Sequence, residues 1–134
     1  MDDIFVARLM TSDPITVAPD TLVEDAAGTM LDHEISSVLV TDDDGELAGI
    51  LTSTDFVRIV AERRPKDETP VSAYMSTGLI TATAQDAVGD VADAMLDNGV
   101  HHVPIVSEAD GVIGIVTTTD LAAYVSQSRT PSPA

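Results

Sequence analysis

The sequence predicts a mixed α/β (α+β) fold made of two pseudo-symmetric copies of one β-α-β-β-α unit. Three observations predict it. The sequence repeats itself, helical and strand periodicities follow one another in the same order in both copies, and each copy carries a turn signal ending in Asp-Gly between two β-prone runs. Sliding the sequence by 65 places pairs VARLMTSDPITVAPDTLVEDAAGTMLDHEISSVLV with VSAYMSTGLITATAQDAVGDVADAMLDNGVHHVPI, and GILTSTDFVRIV with GIVTTTDLAAYV. Met10 then meets Met75, Met30-Leu31-Asp32 meets Met95-Leu96-Asp97, and Thr52, Thr54 and Asp55 meet Thr117, Thr119 and Asp120.

Each copy opens with a short β-prone run, Ile15 to Val17 or Ile80 to Ala82. A helix follows, with apolar residues at Val23, Ala26, Ala27, Met30 and Leu31 and again at Val88, Val91, Ala92, Met95 and Leu96. That spacing predicts one buried face. Thr21 with Glu24 reads as a capping box, and Asp86 as the N-cap of the second helix. Strands are then expected at Ser37 to Thr41 and Glu46 to Thr52, and in copy two at Val103 to Val106 and Val112 to Thr117. They flank Asp42-Asp43-Asp44-Gly45 and Glu108-Ala109-Asp110-Gly111, where glycine supplies a positive φ. Closing helices start near Thr54-Asp55 and Thr119-Asp120. The expected division is repeat 1 over 1–64, a charged linker over 65–70, repeat 2 over 71–126 and a disordered tail over 127–134.

With 134 residues the chain can form one compact domain or two small halves sharing a core. Aromatic residues are 3% and Trp is absent, so the core must be aliphatic. The 23 acidic against 6 basic residues, a formal charge of −17, exclude nucleic acid and an anionic membrane as partners, because both reward Lys and Arg. An Asp-rich, Lys-poor composition resembles that of proteins from salt-accumulating archaea. Without Cys, disulfide and thiolate chemistry are impossible. The N-terminus MDDIFVARLM lacks the features of a signal peptide, and no run reaches membrane-spanning length, so a cytoplasmic protein is expected.

The strand-to-helix motifs GILTSTD and GIVTTTD, the strand HHVPIV and the period of 65 together resemble the tandem cystathionine-β-synthase-type (CBS, or Bateman) domain pair. The resemblance covers about Val6 to Val125. It implies that the copies pack through their sheets and leave two clefts. Such modules bind AMP, ATP, S-adenosylmethionine or related adenosyl ligands, signal to a partner protein and are usually not enzymes. They usually form homodimers.

In GILTSTD a strand ends in hydroxyls and a carboxylate just before a helix, so free N–H groups and the helix dipole favour a phosphate there. Thr52 and Thr54, alternating on the strand, can donate to phosphate oxygens, and Asp55 can accept from ribose hydroxyls. Thr117, Thr119 and Asp120 repeat the arrangement. The alternative role for Thr54, Asp55 and their counterparts is helix capping. His101 and His102 stand where the family often places a basic pair against the phosphates. Neighbours on an extended chain face opposite sides, so the two imidazoles are poorly placed to share a metal.

The resemblance assigns Thr11, Ile15, Thr16, Ile35, Ser36, His101, His102, Thr117, Thr119 and Asp120 to one cleft. It assigns Ser76, Ile80, Thr81, Val100, Ser37, Thr52, Thr54, Asp55 and Arg58 to the other. No catalytic or metal-ligating residue and no obligatory cofactor are identified. The expected function is a non-enzymatic regulatory module with an adenosyl ligand, a second copy of itself and a regulated protein as partners. The alternative is an interaction or dimerisation module with vestigial clefts, kept open by the scarcity of cations: Arg58 follows Asp55 by one turn, but Ala123 stands in its place in copy two.

Overall fold

The computed structural model describes residues 4–128. In chain order the elements are β1 (Thr11–Ser12), β2 (Thr16–Val17), α1 (Val23–His33), β3 (Ser37–Thr41), β4 (Leu47–Thr52), α2 (Ser53–Ala61), α3 (Val88–Asn98), β5 (His102–Ser107), β6 (Gly111–Thr117) and α4 (Thr118–Ser128). Short 3-10 turns lie at Val6–Arg8 and Val71–Ala73. Helix α4 takes in residues 127 and 128, and the rest of the expected tail lies outside the described residues. No helix among the described residues is long and apolar enough to cross a membrane.

The chain divides into two compact units. One is contiguous, Pro14–Leu79; the other is split, joining the residues up to Asp13 with those from Ile80 onward. The sequence repeats and the compact units are therefore not the same residues, because each repeat's N-terminal segment packs with the other repeat. The β-α-β-β-α order holds in the contiguous unit and, with its first strand cut to one bridge, in the split unit.

In the contiguous unit β2 pairs in parallel with β3, Thr16 opposite Leu39, and β3 pairs antiparallel with β4, Ser37 opposite Thr52. A parallel pair needs a crossover, and α1 supplies it. The β3–β4 turn is closed by the Asp42 carboxylate, which accepts the Asp44 and Glu46 N–H groups at 2.9 and 3.0 Å, and Gly45 takes a φ of 79°. Val23, Ala26 and Met30 of α1 pack with Val38, Val40, Leu51, Ile59, Val71 and Tyr74. Burying one such aliphatic side chain stabilises by roughly 1.5–3 kcal/mol.

The split unit has the sheet order β1-β6-β5, with Thr11 opposite Ile115 and His102 opposite Thr117. Its core joins Val6 to Val88, Val91, Met95, Val103, Ile105 and Val116. The strand expected at Ile80 to Ala82 shrinks to a bridge between Ala82 and Ile105. Proline explains this. Ala82 exchanges hydrogen bonds with the Pro104 carbonyl and the Val106 N–H at 3.0 and 2.9 Å, but the next rung needs an N–H from Pro104, which has none. At the matching place in the other unit, Leu39 donates its N–H to Ile15 at 3.3 Å.

The expected helix caps are not formed by Thr21 and Asp86. Leu22 and Ala87 are the N-caps, without side-chain bonds. Thr21 Oγ1 accepts the Ala18 N–H at 3.2 Å, and the Asp86 carboxylate accepts the Thr83 N–H at 2.9 Å, so both side chains close the preceding turn. Main-chain carbonyls take over the capping. Thr69 accepts from Val23 at 2.9 Å and Ile4 accepts from Val88 at 2.8 Å. The linker thus holds the start of α1, with Thr69 only 1% exposed. The buried helix faces are also narrower than the periodicity predicts, since Leu31 and Leu96 are 79% and 81% exposed.

Candidate functional site

The leading glycine of each strand-to-helix motif admits another stretch of backbone. Ser76 exchanges hydrogen bonds with Ile50 at 2.9 and 3.1 Å, and a Cβ at Gly49 would lie 2.7 Å from the Ser76 carbonyl oxygen. At Gly114 a Cβ would lie 2.7 Å from Met10 Sδ and 3.0 Å from the Thr11 carbonyl oxygen. Ser76 is therefore aligned beside the strand that ends at Thr52, and Thr11 beside the strand that ends at Thr117. Both bring an exposed hydroxyl residue to the motif.

The strands then turn into helices through a Thr-x-x-Asp turn. Asp55 Oδ2 accepts the Thr52 N–H at 2.8 Å and the Thr52 hydroxyl at 3.4 Å, closing a capping box. Asp120 Oδ2 does the same for Thr117 at 2.9 and 3.2 Å, and Thr117 Oγ1 accepts the Asp120 N–H at 3.3 Å. The capping role is therefore occupied in both copies. Thr54 and Thr119 do not alternate with Thr52 and Thr117 on a strand; they lie in the first turns of α2 and α4 and are exposed. The chain bends at Thr52 and Thr117 once the aspartate takes the last strand N–H.

Beyond the capping the two turns differ. Asp55 is only 5% exposed, and its Oδ1 accepts from the Arg58 guanidinium at 3.4 Å. Arg58 lies over the Tyr74 ring, 5.2 Å from its centroid, and Arg64 lies 5.5 Å from the same ring. The Tyr74 hydroxyl donates to Glu62 at 2.7 Å; desolvation and that carboxylate raise its pKa above 10, with Arg64 opposing. Sequence reasoning found Arg58 but missed Tyr74. The signal was present, since the split unit has Leu9 and Ala123 where the contiguous unit has Tyr74 and Arg58. At Asp120, Oδ1 receives no hydrogen bond among the described residues.

His101 is exposed and its carbonyl accepts the Thr118 N–H at 3.1 Å, tying β5 to the start of α4. His102 is half-buried opposite Thr117. Burial lowers its pKa below 6.5 and His101 lowers it further, against the pull of Asp120. It holds a proton less readily than a free imidazole. At the matching place Ser36 accepts the Ser53 N–H at 3.0 Å through its carbonyl, and Ser37 is buried opposite Thr52.

The expected cleft residues are distributed over both units. Thr11, His101, His102, Thr117, Thr119 and Asp120 lie in the split unit, whereas Ile15, Thr16, Ile35 and Ser36 lie in the contiguous one. For the second set, Ser37, Thr52, Thr54, Asp55, Arg58 and Ser76 are in the contiguous unit and Ile80, Thr81 and Val100 in the split one. Ile15 and Ile35 pack against the rim of one core and Val100 against the other. Ile35 and Ser53 also line an open groove with Met30, Leu31, Glu34 and Phe56, and Ile80 and Thr81 line a smaller hollow with Asp86 and Asp90.

Known proteins share this arrangement. The family model for the CBS domain matches residues 6–62 and 71–127. The CBS domain-containing protein YhcV of Bacillus subtilis is 31% identical over 87% of this chain and 82% of its own length. A homoserine O-acetyltransferase of Methanosalsum zhilinae is 29% identical over 96% of this chain, which spans only 25% of that relative. Among solved structures, the CBS domain pair of protein MJ0100, in complex with 5'-methylthioadenosine and S-adenosyl-L-methionine, superposes with a TM-score of 0.87 at 26% identity. It covers 96% of this chain and 100% of that one. A protein from Pyrococcus horikoshii gives a TM-score of 0.85 at 29% identity, with both chains fully covered. With a glycine-led strand, a Thr-x-x-Asp turn and a closing helix present twice, and the family model matched over both copies, the chain belongs to the CBS domain family as a tandem pair.

Proposed function

We propose that the chain is a non-enzymatic regulatory module that binds an adenosine-containing ligand of the AMP, ATP or S-adenosylmethionine class and passes its occupancy to a partner protein in the cytoplasm. The observation that carries this reading is the duplicated Thr-x-x-Asp turn. Each places a threonine hydroxyl, a carboxylate and the first N–H groups of a helix at one point, which suits ribose hydroxyls and a phosphate. The ligands bound by the MJ0100 pair support the adenosyl class. A regulatory role is supported by the chemistry of the carboxylates. Asp55, the one buried acid among the described residues, is committed to Thr52 and Arg58 rather than paired with a second acid for proton transfer.

A second copy of the chain is the first partner. Leu31, Val60 and Leu96 are 79%, 77% and 81% exposed, and such apolar surface favours self-association. The same leucines would serve a dimerisation module with vestigial clefts, so ligand binding decides between the readings. Calorimetric titration with AMP, ATP, S-adenosylmethionine and methylthioadenosine in high salt is the test. Binding to the unmodified chain is expected, with Asp55→Ala and Asp120→Ala each removing one phase. No binding of any of the four, or binding that survives both substitutions together, overturns the proposal.

A further inference from the structure

The two turns that define the proposed ligand sites are chemically unlike, and the difference sits in one residue. In the contiguous unit both oxygens of Asp55 are engaged, Oδ2 by Thr52 and Oδ1 by Arg58. The Arg58 contact is long, at 3.4 Å, and the Arg58 side chain is 55% exposed although Asp55 beneath it is buried. Its guanidinium also lies over the Tyr74 ring, 5.2 Å from the centroid, and Glu62 in turn holds that ring by its hydroxyl. A guanidinium has five N–H donors, and Asp55 uses one through this bond. The cation is thus beside the turn, half-exposed and loosely tied, with donors left for an anion.

Resting on the adenosyl reading above, we propose that Arg58 makes the Asp55 turn selective for ligands that carry a phosphate, while the Asp120 turn accepts adenosyl ligands without one. The selection works by exchange. A ribose needs Asp55 Oδ1 as an acceptor, and Arg58 already holds one of that oxygen's two acceptor positions. A phosphate replaces the carboxylate as the guanidinium's partner, so Arg58 moves onto the ligand and Oδ1 turns to the ribose hydroxyls without leaving a charge unpaired. An uncharged nucleoside offers Arg58 nothing in return and must compete with the ion pair. In the split unit Ala123 stands in place of Arg58 and Leu9 in place of Tyr74, so among the described residues no guanidinium competes for Asp120 Oδ1.

Calorimetric titration of AMP and of adenosine into the whole chain, with the Arg58→Gln and Ala123→Arg variants beside it, tests this. Arg58→Gln keeps a donor for Asp55 and so protects the turn, which an unchanged thermal midpoint checks. It is expected to weaken AMP at one site by about tenfold to a hundredfold, the range of a charge-assisted hydrogen bond, and to leave adenosine unchanged or tighter there. Ala123→Arg is expected to raise the preference for AMP over adenosine at the other site. If Arg58→Gln changes both ligands alike, or neither, the selectivity proposal is overturned while the adenosyl reading stands. If the unmodified chain binds no adenosyl ligand, both fall. Should Arg58→Gln lower the midpoint, Tyr74→Leu, copied from Leu9, decides. A loss of AMP preference there supports the proposal and an unchanged ratio overturns it.

Discussion

The contiguous and the split units are two answers to one pattern, and they diverge where each had a free choice. Helix α1 ends on Glu34 in the left-handed region, φ 55°, where α3 ends on Gly99 at φ 63°. Both close with the same bonds, Ile35 N–H to Met30 and Val100 N–H to Met95 at 3.0 Å. The bonds define the geometry, and the residue only sets its cost. The β-strand edges diverge for an equally local reason, because Leu39 donates the rung that Pro104 lacks. The Thr-x-x-Asp turns, by contrast, are retained in detail down to the aspartate oxygen that caps the strand. What is shared between the units is therefore the turn, and what differs is how its surroundings are charged.

The glycines give the largest test of the comparison. Gly49→Ala is expected to destabilise by about 3 kcal/mol and Gly114→Ala by about 1 kcal/mol, the two ends of the range for overpacking. The first pushes a Cβ to 2.7 Å from a carbonyl oxygen, whereas the second meets mainly a flexible methionine. Urea unfolding of the two variants measures the difference, and equal losses would show that the two crossings are equally rigid. A smaller effect of opposite sign is expected at the helix ends. Glu34→Gly should stabilise by about 0.5–1 kcal/mol by removing a left-handed side-chain residue, and Gly99→Ala should destabilise by a similar amount. Thermal midpoints of the pair check this.

The smallest expected effect is one of pH. His102 has a lowered pKa in the folded chain, so the unfolded chain binds the proton first as pH falls. Its contribution is fully favourable above about 6.5, the ordinary imidazole value, and is lost as pH falls through that value toward the folded one. His102→Gln should flatten the dependence of the melting midpoint on pH below about 6.5, and NMR titration should place the His102 imidazole below the ordinary range. A titration at or above 6.5 would show that Asp120, not burial, governs the ring.

Local pattern made much of this fold legible. Strand β3 lies at Ser37–Thr41 as its β-branched run and following Asp-Gly predict, and Val23, Ala26, Met30, Val88, Val91 and Met95 are buried as helical spacing requires. The place of the strand-to-helix turn was legible too, but its register was not: capping was expected at Thr54 and Asp55, whereas Thr52 and Thr117 take the cap with the aspartate three residues on. Periodicity failed at Leu31 and Leu96, since it registers an apolar stripe but not how wide a surface lies beneath. Caps were misassigned at Thr21 and Asp86 because the true acceptors, the carbonyls of Thr69 and Ile4, come from remote segments that carry no side-chain signal. Arg58 could be singled out by its mismatch with Ala123; Tyr74 carries the same kind of mismatch, with Leu9, but nothing local ties it to Arg58 sixteen places away across the linker.

The exchange of N-terminal segments has a consequence for how the chain is made. Synthesis delivers the contiguous unit whole, so everything it needs has left the ribosome once Leu79 is out, and it can close while the rest is still being translated. The split unit has no such luck. Its β1 strand, made before the contiguous unit, must wait unpaired until β6 emerges, since Thr11 and Ser12 have Ile115 and Gly114 as their register partners. Val6, buried in the finished protein, is meanwhile without its core. On a nascent chain this stretch is an apolar segment with an open strand edge, and the order of closure is dictated by chain connectivity: the contiguous unit first, the split one last.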